Sequence, residues 1–140
     1  ILNGGYHEEN MGKEVIENVN KIPFFKPKVE RIYNFIEEKN YTESYKCVAN
    51  LIEIVCTTLL EKIHKKKLEN PNMFTLISNL EENKEGKLAD ILIEINGEYN
   101  SKNLNKITNL DLRFLLVYLD EIVRSIVEKH GDIFKENNNQ

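Results

Sequence analysis

One hundred and forty residues, 41% hydrophobic and 30% charged, with a net charge of −4, fit one ordinary soluble domain with a sizeable core. No apolar run approaches the ~20 residues that span a bilayer, and two cysteines are too few for a disulfide scaffold. A mildly acidic chain is not a general nucleic-acid binder, no basic segment with an apolar stretch opens it as a secretory leader would, and the two cysteines read as reduced thiols of a cytoplasmic protein.

Residues 1–26 read as a lead-in with a short helix over about 9–20, where Met11, Val15 and Val19 share a face. Ile22-Pro23-Phe24-Phe25 breaks that helix and offers an aromatic plug. A bundle domain is expected over 27–131. Its first helix starts near Pro27, carries Val29, Ile32, Tyr33 and Ile36, and closes at Lys39-Asn40. A long helix is predicted over 41–66, with Asn40 as N-cap and Glu43 completing a capping box. Its apolar stripe runs from Tyr45 through Val48, Ile52, Val55, Cys56, Leu59 and Leu60 to Ile63. Asn70-Pro71 is expected to start the next helix, through Phe74, Ile77 and Leu80. Gly86 separates it from a short helix with Leu88, Ile91, Leu92 and Ile95, which Gly97 is expected to end in a left-handed stop. Residues 98–107 read as a polar, Asn-rich loop. Thr108, with Asp111 at N3, caps a second long helix over 109–130, and Gly131 ends it. Residues 132–140 read as a flexible tail. The fold class is therefore all-α: an antiparallel helical bundle of two long helices and three to four shorter ones.

Few residues in this pattern promise chemistry. Glu61 and His64 have the i, i+3 spacing of di-iron bundles, but no second Glu-x-x-His exists, so no metal site is assigned and His64 reads as a surface side chain. Glu81, Glu82 and Glu85 make Glu-Glu-x-x-Glu, which holds Mg²⁺ in all-α pyrophosphohydrolases only beside a second Glu-x-x-Asp. None is present, and the favoured reading is a solvated acidic helix end. Cys47 and Cys56 lie nine residues apart on one helix, about 13 Å, too far for a disulfide, and read as inert core-facing thiols. No glycine-rich phosphate loop or nucleophile elbow occurs, so no catalytic residue and no cofactor is assigned. Lys62, Lys65, Lys66 and Lys67 form the one basic cluster. With Tyr99 they are the candidate nucleic-acid contacts, against the plainer reading of a solvated helix end.

The order of elements resembles the HEPN superfamily of small all-α domains, over roughly 28–130. The carrying stretches are Glu-Lys-Asn-Tyr-Thr-Glu-Ser-Tyr (38–45), the long helix from Ala49 to Lys62, Phe-Thr-Leu-Ile-Ser-Asn-Leu (74–80), Leu88 to Asn100 at the place of the family signature, and the capped helix from Ile107 to Leu119. Catalytic members of the family carry an Arg and, four to six residues on, a His, which line a cleft at a dimer interface and cleave RNA without metal. Here that stretch offers Glu94, Asn96 and Asn100 instead. The resemblance thus implies a domain that binds rather than cuts: an interaction or homodimerisation module, of the kind found in antiviral and toxin–antitoxin systems.

On this reading the chain is not an enzyme. Its partner is a second copy or another protein, and Leu51, Ile54, Phe114 and Tyr118, which lie off the main stripes, would form the interface. Two alternatives stand beside it. One is an RNA-binding or RNA-cleaving domain with nonstandard polar residues. The other is a helical domain of a larger effector, which a start at Ile1 rather than Met permits.

Overall fold

The computed structural model describes residues 23–135. The expected helix over 9–20 and the last five residues lie outside them. Five helices pack into an all-α bundle, with no strand among the described residues: α1 Lys26–Glu37, α2 Tyr41–Lys62, α3 Met73–Glu82, α4 Gly86–Ser101 and α5 Asn109–His130. None of these helices is long and apolar enough to cross a membrane.

Local chemistry sets each boundary. Pro23–Phe25 form a single 3-10 turn that buries Phe25 completely, and Pro27 sits in the first turn of α1, where a missing N–H costs nothing. The rings of Phe24 and Phe134 lie 5.1 and 5.0 Å from that of Phe25. The aromatic plug is thus real, and packing extends beyond Gly131: Phe134, placed by the sequence reading in a tail, is 1% exposed. After α1 ends at Glu37, Lys39 with a φ of 59° turns the chain so that Asn40 N–H reaches Phe35 O at 2.8 Å. Asn40 then caps α2 by accepting from Glu43 N–H, while the Glu43 carboxylate lies by Lys46. Only half of the expected capping box forms.

α2 is the central element, packing against α1, α3 and α5, and its stripe is core from Tyr45 to Leu60. It stops at Lys62, short of the expected 66, because Lys65 takes a left-handed φ of 55° and Lys66 N–H turns back to Leu60 O. Pro71 does not start α3. Asn72 does, in a reciprocal capping box with Thr75, and this pair satisfies two donors that Pro71 cannot. Gly97 does not end its helix either; α4 continues through it to Ser101. Leu88, Leu92 and Ile95 before the glycine and Tyr99 after it all pack on the core, and that burial outweighs the ~1 kcal/mol a mid-helix glycine costs. The expected loop over 98–107 shrinks to a short connection with one 3-10 turn, Leu104–Lys106, pinned where the Thr42 hydroxyl donates to Leu104 O at 2.7 Å. Thr108 and Asp111 form the capping box predicted for α5, and Gly131 ends it at φ 81°.

Short connections make α1–α2, α3–α4 and α4–α5 reverse direction. The stretch 63–72 instead carries the chain back along the bundle, so Met73 opens α3 beside Lys46 and Ala49. The two long helices consequently run the same way. Tyr45 of α2 and Asp111 of α5 line one cleft at one end, and both helices finish together at the other.

Candidate functional site

At that second end three chain reversals meet. His64 lies two residues past the end of α2, His130 is the last residue of α5, and Glu85 sits in the tight turn between α3 and α4. Each is next to a residue with positive φ: Lys65 at 55°, Gly131 at 81° and Lys84 at 64°. The turn at Glu85 is fixed on both sides. Its N–H reaches Leu80 O at 2.8 Å, and its carbonyl accepts from Ala89 N–H at 3.0 Å. That geometry drives the carboxylate inward, to 3% exposure.

Glu85 Oε2 lies 2.6 Å from His64 Nε2 and 2.7 Å from His130 Nε2. An ionised carboxylate only accepts, so both rings donate. Lys129 Nζ donates to Oε1 at 3.0 Å and to Lys84 O at 2.8 Å. Burial works against the charged carboxylate. The hydrogen bonds from His64, Lys129 and His130 outweigh it, and its pKa lies below the ordinary value. The C-terminal ends of α2 and α5 favour positive charge beside them, and the N-terminal end of α4 favours the carboxylate. The two imidazoles stand edge to face, 5.9 Å between centroids, with 18% and 14% of their side-chain surface open.

The sequence reading misplaced this cluster. His64, expected as a surface side chain, is largely enclosed, while Glu61 is exposed and takes no part. Of the acidic run, Glu81 and Glu82 are solvated as expected, but Glu85 is buried. The one local signal was Gly86 after Asn83-Lys84: a helix break places residue 85 in a turn, where it can point inward.

The proposed interface residues separate. Leu51 is fully buried in the monomer core and is no surface residue; α2 has neighbours on three sides, so a position off the main stripe still finds a partner helix. Ile54 is half-exposed. Tyr118 is half-buried, and its hydroxyl donates to Glu94 at 3.2 Å. Phe114 is 61% exposed and continues a stripe with Leu110 and Val117 at i, i+4, i+7 along α5. Two ion pairs flank that stripe, Lys102–Asp111 and Arg124–Asp120, each at 3.0 Å.

No protein family, curated protein or solved structure matches this chain.

Asn96 and Asn100 line a shallow cleft between α2 and α4. Asn96 and Asn100 hydrogen-bond to each other at 3.3 Å, beside Tyr99 and, from α2, Asn50 and Glu53. Burial raises the Glu53 pKa. Glu94 faces Tyr118 instead. Tyr99 stacks on the buried Tyr45 ring at 5.7 Å, so it is no free platform for a base. Two of the four lysines are likewise engaged: Lys62 Nζ donates to Ile133 O at 2.7 Å and Lys65 Nζ to Lys62 O at 3.0 Å. Neither cysteine is in a disulfide; Cys56 is fully buried, and its thiol is pushed up to about 12, which leaves no thiolate to act as nucleophile.

Proposed function

We propose that this domain is a non-catalytic, HEPN-like association module that pairs with a second copy of itself through α5. The observation that carries the reading is the exposed stripe Leu110, Phe114 and Val117. A helix that already buries Leu112, Leu115, Leu116 and Leu119 on its inner face has no need of apolar residues on the outer one. A two-fold pairing of α5 with its copy is isologous, and the charges beside the stripe suit it. Ion pairs lie at both ends of the stripe, Lys102 with Asp111 and Glu98 at one and Arg124 with Asp120 at the other, so each end offers both signs of charge to the apposed copy. A stable pairing covers about 800 Å² on each side, and a central phenylalanine is the usual kind of anchor.

Sedimentation equilibrium tests this. The expected result is a mass of two chains that falls to one for Phe114→Glu, with the helical circular dichroism unchanged. A wild-type mass of one chain at every concentration sinks the reading. Its non-catalytic half has its own test. Metal-independent cleavage of single-stranded RNA, lost on Asn96→Ala and Asn100→Ala, would overturn it.

A further inference from the structure

We infer that His64, Glu85 and His130 form a binding site for a divalent transition-metal ion of the zinc type. Two imidazole nitrogens and one carboxylate oxygen are a donor set that borderline ions such as Zn²⁺ prefer, and all three ligand atoms lie within 4.8 Å of one another. The spacing is close to what an ion needs. Bonds of 2.0–2.1 Å in a tetrahedron set ligand atoms about 3.3 Å apart, so the rings withdraw by about 0.7 Å from their present 2.6 and 2.7 Å contacts with Oε2. Both rings are partly open to solvent, which gives the ion an entry path.

The surroundings divide the carboxylate in the way a one-oxygen ligand requires. Oε2 faces the two imidazoles, while Lys129 holds Oε1 and is itself fixed by Lys84 O. Ligating carboxylates are commonly held by such a hydrogen bond to the other oxygen. The ends of α2 and α5 add carbonyl dipoles that favour a cation at this place. Protons balance as well. Each Nε2–H that faces the carboxylate must leave that nitrogen, either by moving to Nδ1 of a neutral ring or by passing to solvent from a charged one. Three protein ligands leave a fourth position for water, as in an open site rather than a closed structural one.

The site is independent of the α5 stripe, at the other end of that helix, so either proposal can fail alone. The test is titration of the untagged chain with Zn²⁺ by calorimetry and with Co²⁺ by visible absorption. One equivalent per chain is expected, with the intense d–d bands of a tetrahedral Co²⁺ centre. His64→Asn and His130→Asn should each abolish those bands while the helical spectrum persists. His7→Asn, which replaces the one remaining histidine, should leave them intact. No saturable binding of either ion to the wild type overturns the proposal. So does binding that survives in both His64→Asn and His130→Asn. Should one of these variants lose its helical spectrum, the ligand role is read from the wild type, where Zn²⁺ must shift the imidazole resonances of His64 and His130 and leave those of His7; the reverse pattern overturns the site.

Discussion

The two ends of the bundle are held by different physics. At the end where α5 begins, the fastening is local: Thr108 and Asp111 cap their own helix three residues apart, and Lys102 reaches across a short connection to Asp111. At the end where α5 finishes, it is long-range. His64 and His130, from the ends of α2 and α5, close on the buried Glu85 carboxylate before α4. A local fastening stabilises one helix and frays alone. A convergent one ties α2, α4 and α5 together and is broken everywhere by one substitution.

The largest expected effect comes from breaking the convergent end. Glu85→Ala leaves two imidazoles and an ammonium facing one another around a cavity. Removing one partner of a buried charged group costs about 3–5 kcal/mol, and because the rings and Lys129 reach solvent we expect about 2–3 kcal/mol. Urea unfolding in the presence of a chelator, which removes any metal contribution, measures it. A change within experimental error would mean that the cluster merely decorates the bundle. Gly131→Ala attacks the same end through the backbone. At φ 81° and ψ −172° the residue occupies a region essentially restricted to glycine. An added Cβ meets no atom within 4 Å, so the cost is conformational alone, about 1–3 kcal/mol.

The same contrast explains what the sequence disclosed. Capping pairs, proline in a first turn and 3.6-residue periodicity are written within a few neighbouring positions, and α1, α2 and α5 were legible from them. So was the outward-facing Phe114, because α5 shows an inner stripe against which it stands out. Leu51 was misread because a helix with neighbours on three sides has no free face, and periodicity alone does not count neighbours. The His64, Glu85 and His130 cluster was illegible for a related reason. Its residues lie 21 and 45 positions apart, and only the topology that runs α2 and α5 the same way brings them together. The charge pattern of Glu81, Glu82 and Glu85 looked uniform, although the turn after Leu80 sends one of the three inward.

The local end titrates by itself. Burial disfavours the Asp111 carboxylate, but the Thr108 backbone N–H, the Lys102 ammonium and the Thr108 hydroxyl together hold its pKa below the ordinary value. Its contribution is therefore fully present above the unfolded value of about 3.9 and is lost as pH falls through the lower, folded one. Asp111→Asn should cost about 1 kcal/mol at neutral pH, and the difference from wild type should close progressively below about pH 4. Unfolding curves at a series of pH values check it. A difference that stays constant into acid would assign the effect to shape rather than charge.

The smallest effect has the opposite sign and separates the two glycines that the sequence treats alike. Both Gly97 and Gly131 follow an apolar stripe and both read as helix stops. Only Gly131 is one. Gly97 is exposed inside α4, and a Cβ there meets nothing within 4 Å. Gly97→Ala should therefore stabilise the fold by about 0.5–1 kcal/mol, by removing backbone freedom from the unfolded chain and supplying a better helix former. If Gly97 ended its helix in a left-handed turn, the same substitution would instead destabilise by a comparable amount, because a Cβ crowds the carbonyl in that conformation. Thermal unfolding of Gly97→Ala beside Gly131→Ala decides between them by direction alone. A rise for the first and a fall for the second mean that α4 runs unbroken to Ser101, which keeps Tyr99 against Tyr45 and the Asn96–Asn100 pair on one helical face.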